Sequence, residues 1–334
     1  MATTTQQPKI TLIGGGTGSF TLLQELKRLT SNISAVVNMS DDGGSTGWLR
    51  DELGVLPPGD IRQCLIALSD TPEARDLFSF RFSRGLLRGQ SAGNIILSAL
   101  ELQTGNFADA ISVASKILHI TGKVIPVSLE KHKLVMKDGK RIIHGEYKIA
   151  HRKLRHADAS VSLDPPSQIN PAAAKAIRDC DLLIIAPGNL YGSLLSTLGA
   201  QGIRDSFARS SAKKVMISNL VTKPGQTDGW HVVDYVKKIE QSIGRGQLDY
   251  VMFNNQLPST ELLRKYAADG EHPVRFEEHE FGEIDAIPIG ADLLAQKAFK
   301  PHSGDTLIPR TLIRHDAQSV RREIAKLLNR TEKS

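Results

Sequence analysis

Short apolar runs alternate with stretches of helical periodicity along this chain, and most of the runs end on glycine or polar residues. Ile10 to Ile13 is an apolar run closed by Gly14, the pattern of a buried strand. Phe20, Leu23, Leu26 and Leu29 then recur at helical spacing, and Ile33 to Met39 reads as a second strand. Strand, glycine loop, helix and strand in that order predict the βαβ unit of a parallel sheet. A helix is expected from Asp60 to about Leu68, with Ile61, Leu65 and Leu68 on one face. Further helices are expected near Glu73–Phe82, Ala92–Leu102 and Phe107–Ile120, the last with Asn106 as its cap and Gly122 as its stop.

The texture changes between Lys123 and Leu163. Alternation appears in Val124 to Leu129, Leu134-Val135-Met136 and Val161-Ser162-Leu163, and Asp138-Gly139 between two such runs is a hairpin signal. The α/β rhythm then returns. Leu182 to Ala186, Val215 to Ser218 and Tyr250 to Phe253 are buried-strand runs, followed by Pro187-Gly188, Asn219 and Asn254-Asn255. Helices are expected between them, including about Leu194–Ala208 and Val232–Ile243. Val320, Ile324 and Leu327 form one face of a helix after Asp316. The pattern predicts one α/β domain over 1–334: a Rossmann-like, doubly wound, mostly parallel sheet. It carries a small β-rich insertion at about 123–163 and a C-terminal helical extension at about 310–334. A strand order of 3-2-1-4-5, or close to it, is the commoner outcome for this alternation.

Composition narrows the class. Hydrophobic residues make up 40% of the 334, enough for a sizeable core without staples. No apolar run approaches the roughly 18 residues that span a bilayer, and Met1 to Lys9 lacks the apolar stretch of a signal peptide. A cytoplasmic protein without membrane insertion is expected. Cys64 and Cys180 are the two cysteines, too few for a disulfide framework, and both read as small buried hydrophobes. The net charge of +6 permits an anionic partner, which phosphates of a small ligand would satisfy. With aromatic residues at 5% and no stacking motif, a nucleic-acid binder is not expected.

Ligands of such sheets bind beyond the C-terminal ends of the strands, and that is where the glycine-rich and polar segments fall. Gly14-Gly15-Gly16-Thr17-Gly18-Ser19 lies between a strand and a helix. Glycines let backbone N–H groups approach an anion, and the helix start points its own free N–H groups to the same place. Ser19 stands at the third glycine of GxGxxG, and no Gly-Lys-Ser/Thr follows, so the loop is not a Walker A motif. A tight turn without ligand is the plainer alternative. Ser40-Asp41-Asp42-Gly43-Gly44-Ser45-Thr46-Gly47 follows the second strand. A carboxylate there can accept from ribose hydroxyls, or hold Mg²⁺ with ligand phosphates, Asp42 being the metal candidate. Neighbouring side chains diverge, so Asp41 and Asp42 are expected to do different jobs.

Gly54 to Arg62 reads as a rigid loop entering a helix, with Asp60 most simply its cap and Arg62 a phosphate contact or ion-pair partner. Gly89 to Asn94 is a small-residue helix entry. Pro187-Gly188-Asn189-Leu190-Tyr191-Gly192-Ser193 is a second candidate anion site, and Asn219 to Thr227 offers Lys223 as a charge. GxSxG, HExxH and a nucleophilic cysteine are absent. His132, His144, His151 and His156 lack ligand spacing and read as solvated. Lys148, Arg152, Lys153 and Arg155 form a basic cluster, usually a solvated face, otherwise an anion patch or subunit contact.

Several of these motifs in this order resemble the CofD/YvcK family, in particular its YvcK branch of gluconeogenesis factors. They are Gly14 to Gly18, Asp41-Asp42-Gly43-Gly44-Ser45, Leu56 to Arg62, Ser91 to Asn94, and Pro187-Gly188-Asn189-Leu190-Tyr191. The likeness runs over most of the chain and weakens after about Asn255. Trp48 stands where the YvcK pattern has an arginine, Asn189 and Gly192 replace a serine and a threonine, and Ala92 replaces a larger residue; Arg50 is retained.

The resemblance implies a nucleotide site at Gly14, Gly15, Gly16, Thr17, Gly18, Asp41, Asp42, Gly43, Gly44, Ser45, Arg62, Asn94, Gly188, Asn189 and Tyr191. In the YvcK branch it implies a binder of UDP-sugars such as UDP-N-acetylglucosamine, linked to gluconeogenic growth and cell shape and acting through a regulatory protein partner. In the CofD branch it implies Mg²⁺-dependent transfer of a 2-phospho-lactyl group from a guanosine diphosphate carrier to a deazaflavin alcohol. That reaction needs positioning and charge neutralisation but no protein nucleophile, and Asp41, Asp42 or Asp60 could take the alcohol's proton. The regulator is the leading expectation and the transferase the alternative. An NAD dehydrogenase draws only on the imperfect glycine motif. A homodimer is expected from base rates alone.

Overall fold

The computed structural model describes residues 7–156, 158–295 and 313–329. Among the described residues ten strands are formed: β1 Ile10–Gly14, β2 Ile33–Val37, β3 Lys123–Pro126, β4 Lys133–Asp138, β5 Arg141–His144, β6 Ser160–Asp164, β7 Leu182–Ile185, β8 Lys213–Ile217, β9 Tyr250–Asn254 and β10 Ile287–Ala291. Seven of them make one sheet in the order β10-β9-β8-β7-β1-β2-β3, every neighbour parallel. Numbered within the sheet, this is 3-2-1-4-5-6-7; over the five strands expected from the sequence it is 2-1-3-4-5, because Leu182–Ile185 pairs with β1 and Lys123–Pro126 takes the place beside β2. The central strands are apolar but for Thr11 because both faces are covered: all of β1 and β7 is buried.

Helices connect the parallel strands. The first six are α1 Gly16–Leu26, α2 Gly44–Leu53, α3 Gly59–Leu68, α4 Pro72–Ser79, α5 Ala92–Thr104 and α6 Phe107–Ile117. The others are α7 Glu146–Ala150, α8 Pro171–Arg178, α9 Leu195–Leu198, α10 Ile203–Ala208, α11 Val232–Ile243, α12 Thr260–Ala268 and α13 Ala317–Asn329. α1 packs on α3 and α13, while α8, α10 and α11 pack in succession. Thr11 on β1 donates to the Ala176 carbonyl of α8, at 2.8 Å.

The hydrophobic runs form strands and helices where their periodicity places them, with informative exceptions. Asn106 caps α6 by accepting from the Ala108 and Asp109 N–H groups, but the helix ends at Ile117, well before Gly122. Lys123–Pro126 is not part of the small sheet. It pairs with β2 as the edge of the main sheet, so the β-rich insertion proper is the antiparallel β5-β4-β6 sheet, Lys133 to Asp164. The Asp138-Gly139 hairpin joins β4 to β5, with Gly139 at φ +61°. The helix expected over Leu194–Ala208 is broken, with a π-turn at Leu190–Leu194 preceding α9 and α10. Val232–Ile243 is one helix as expected. Of the C-terminal extension, α13 is described; the stretches 310–312 and 330–334 lie outside the described residues. No described helix is long and apolar enough to cross a membrane.

Candidate functional site

The glycine loop meets the loop after β7 at the centre of the sheet, where the order of strand addition reverses between β1 and β7. α1 starts at Gly16, so the loop is itself the helix N-terminus. Gly18 is required by close approach: a Cβ there would stand 1.9 Å from the Pro187 carbonyl oxygen. On the far side Gly188 and Asn219 pair reciprocally, Gly188 N–H donating to Asn219 Oδ1 at 3.2 Å and Asn219 Nδ2 to the Gly188 carbonyl at 2.9 Å. Asn189 accepts from the Gly192 N–H and shapes the π-turn.

A cavity of about 410 Å³ opens between these loops. One end is walled by Gly15 to Gly18, Asp60, Gly188, Asn189 and Ser193. The other is walled by Leu220, Thr222, Lys223, Glu271, Arg314 and His315. His315 is half-buried, its Nε2 donates to the Ser218 carbonyl at 3.0 Å, and desolvation of the ring pushes it down to about 4, so it is neutral. Leu220, Tyr266 and Ile313 form a small apolar cluster at that end.

A group of carboxyls stands beside the glycine loop. Asp60 does not cap α3, whose N-cap is Pro58. Its carboxyl is turned to the glycine loop, where it accepts from the Gly16 N–H, and Asn38 Nδ2 donates to it at 3.4 Å. Burial, then the Asp41 charge, raises Asp60 to about 7. Asp41 is raised chiefly by burial although it accepts from the Gly43 N–H at 3.0 Å and bonds the Thr46 side chain. Glu146 on α7 is raised to about 8 by burial and by Asp41, Asp60 and Asp42 in turn.

Asp42 faces elsewhere. Its carboxylate accepts from the backbone N–H groups of Glu146 at 3.1 Å and Tyr147 at 2.7 Å, which fastens the first turn of α7. The two adjacent aspartates thus do different jobs, as side-chain divergence requires.

Below Asp60 runs a buried polar chain whose directions are fixed by two backbone groups. Ser40 N–H donates to Asn38 Oδ1 at 3.2 Å, so Nδ2 is the atom that faces Asp60. Ser196 Oγ lies 2.8 Å from Asn38 Oδ1 and 2.6 Å from Ser40 Oγ. His132 Nδ1 donates to the Glu130 carbonyl, leaving Nε2 to accept from Ser40 Oγ at 3.0 Å. His132 is therefore buried and, desolvated, held neutral; the expectation of a solvated His132 is corrected because hydrogen-bond partners replace water on both ring nitrogens. His144, His151 and His156 are exposed.

Three other residues of the expected site join one network outside the cavity wall. Arg62 Nε donates to Asn94 Oδ1 at 2.8 Å and its Nη1 to the Phe78 carbonyl. Asn94 Nδ2 in turn donates to Ser45 Oγ, which donates to Gln90 Oε1 at 2.7 Å. Tyr191 is buried with Lys238 Nζ 5.8 Å from its ring centre, and burial pushes its phenol up to about 12. Gly43 and Gly44 turn the chain into α2, where Trp48 is exposed and Arg50 ties the Asp41 carbonyl to that of His132. The structure thus brings Gly15 to Gly18, Asp60, Gly188 and Asn189 to the cavity, with Gly14 as the end of β1 behind them. Sequence reading did not single out Asn38, Glu146, Ser196, Glu271, Arg314 or His315.

Among the described residues no three His, Cys, Asp or Glu side chains are grouped so as to hold a metal. Asp41 and Asp60 nevertheless supply hard oxygen donors held away from water, which suits Mg²⁺, an ion content with one or two carboxylates plus ligand phosphates.

A family model described as 2-phospho-L-lactate transferase CofD matches residues 10–294. The gluconeogenesis factor of Bacillus subtilis is 38% identical over 329 residues, covering 97% of this chain and 99% of that protein. A relative from Nostoc sp. is 41% identical over 86% of this chain, which spans 64% of that relative's length. A crystal structure of a Bacillus halodurans protein superposes with a TM-score of 0.87 at 35% identity, covering 96% of this chain and all of that one. With fold, motif order and identity in agreement over nearly its whole length, the chain belongs to the CofD family, alongside the gluconeogenesis factors.

Proposed function

We propose that this protein is a nucleotide-sugar-binding regulator of carbon metabolism and cell shape, taking a ligand of the UDP-N-acetylglucosamine class without turning it over. The observation that carries this reading is the two-ended cavity. Its volume of about 410 Å³ falls within the ordinary range of small-molecule sites. The glycine-loop end offers backbone N–H groups at the start of an eleven-residue helix, suited to a diphosphate. The other end offers the polar groups of Thr222, Lys223, Glu271 and Arg314 beside apolar Leu220 and Ile313, suited to a base or sugar. The relatives' name supports the metabolic role.

The carboxyl pair and the CofD match support a second reading, a phospho-lactyl-type transferase moving its group from a guanosine diphosphate carrier to a deazaflavin alcohol. In it Asp41 and Asp60 would hold Mg²⁺, which would neutralise phosphate charge. The glycine loop would hold the diphosphate and the cavity walls would exclude water.

Calorimetric titration separates the two. Uptake of UDP-N-acetylglucosamine, with GDP plus Mg²⁺ silent, is the expected result. Binding of GDP alone and only with Mg²⁺ would overturn the regulator and favour the transferase.

A further inference from the structure

A rigid loop on the far side of α2 presents apolar side chains to solvent with arginines around them. The segment Phe80 to Ser91 leaves α4 and returns to α5. Phe82 N–H donates to the Gln90 carbonyl at 3.0 Å and Gly89 N–H to the Phe82 carbonyl at 2.8 Å, so the two arms are paired. Arg88 N–H donates to the Gly85 carbonyl, Gln90 N–H to the Leu87 carbonyl, and Arg81 Nη1 to the Gly89 carbonyl at 2.6 Å. Phe80 and Phe82 pack edge to face at the base. Gln90 and Ser91 are tied to Ser45 at the start of α2. A tip held by this many bonds is not a floppy excursion; its side chains are displayed.

The display is unusual for surface leucines. Leu86 is 104% exposed, more than in an extended reference peptide, and Leu87 is 38% exposed. Phe80 and Leu77 nearby are 48% and 52% exposed. Arg84 and Arg88 flank Leu86 and Leu87, are exposed, and form no ion pair among the described residues. Isolated exposed leucines need no explanation, but two consecutive ones on an ordered tip, with Phe80 and Leu77 exposed nearby, mark a contact surface.

We infer that this tip is a peripheral contact for an anionic lipid surface, with Leu86 and Leu87 entering the headgroup boundary and Arg84 and Arg88 pairing with lipid phosphates. Shape and charge select this occupant. Leu86 stands fully clear of the protein surface, so it suits a partner that deforms around it, as a lipid interface does. From Phe80 to Ser91 every charged residue is an arginine, the nearest acid in the chain being Asp76 on α4, so two copies meeting tip to tip would set arginine against arginine, whereas an anionic surface attracts them. The contact is made from one side and requires no crossing segment.

The test is cosedimentation of the full chain with vesicles of phosphatidylcholine alone and of phosphatidylcholine containing about one-third phosphatidylglycerol. Binding is expected to the anionic vesicles only and to weaken in high salt. The Leu86→Ser/Leu87→Ser variant should lower it about tenfold, since both anchoring side chains are removed. The Arg84→Glu/Arg88→Glu variant should abolish it. Both variants should melt like the parent and keep its nucleotide binding, because none of the four residues lines the cavity. Absence of binding to anionic vesicles, equal binding to neutral ones, or an unchanged leucine variant would overturn the inference. So would light scattering that shows a dimer which the leucine variant turns into a monomer, because the tip would then be a subunit contact.

Discussion

Two walls of the cavity are made of opposite materials. Gly15 to Gly18 and Gly188 present backbone, whose donors are set by the chain path and carry no titratable charge. Asp60, with Asp41 and Glu146 behind it, presents carboxyls that desolvate and repel one another. An anionic ligand is welcomed by the first wall and opposed by the second, unless protons or a cation intervene. The contrast teaches that the backbone wall decides whether a phosphate can enter, while the carboxyl wall decides under which conditions it stays.

The sharpest way to break the comparison is at the glycines. Gly18→Ala forces a Cβ into the Pro187 carbonyl and should cost about 3 kcal/mol of stability, read from urea unfolding. Gly188→Ala is the counterpart: its Cβ would meet only Leu194 at 3.7 Å, so stability should stay within about 0.5 kcal/mol while ligand affinity falls. Equal losses of stability in the two variants would mean that both glycines serve packing alone. Next in size, Asp42→Ala removes both acceptors of the α7 N-terminus and should cost about 2 kcal/mol, with Asp42→Asn recovering part of it.

The carboxyl wall is tested by pH. Asp60 and Glu146 hold their protons more tightly folded, at about 7 and about 8, than carboxyls of an unfolded chain, near about 4. Their contribution to stability is complete below pH of about 4 and is lost as pH rises through 7 to 8. Melting temperature of the free protein should therefore fall over that window. Asp60→Asn with Glu146→Gln should flatten the fall, and Mg²⁺ at the alkaline end should reverse part of it. The smallest effect is expected from Ser196→Ala, about 1 kcal/mol, because Ser40 N–H still orients Asn38. A melt of this variant that drops as far as that of Asp42→Ala would show the polar chain to be more than a support.

The backbone wall was legible in the sequence because it is local. A glycine run between an apolar strand and a helical pattern specifies its own geometry, and Gly18 and Gly188 fall where it puts them. The sheet order was not legible in the same way, because it rests on pairing between strands far apart in the chain: Lys123–Pro126 read as part of the insertion yet pairs with β2, and β10 was missed because Ile287-Pro288-Ile289-Gly290 carries neither a buried run nor a clean alternation. The carboxyl wall was only half legible. Asp41 and Asp60 lie in glycine-rich loops that drew notice, but Asp60 looked like a helix cap because its partner, the Gly16 N–H, is far away in the chain. Glu146 sits among lysines and arginines on a segment that reads as solvated, and only the fold brings it to the aspartates. Glu271, Arg314 and His315 likewise converge from the end of the chain, with no spacing to announce them.

The bond from Asp42 to α7 changes what the small antiparallel sheet is. It hangs by its first helical turn from the loop that also carries Asp41, while Gln226 of the loop after β8 grips the Ile149 and Arg152 carbonyls from the other side. A segment held at both ends by the site's own loops does not fray on its own schedule. Its amide hydrogens and those of residues 41–47 should therefore exchange as one cooperative opening unit, the insertion and the loop that bears Asp41 being ordered, and lost, together.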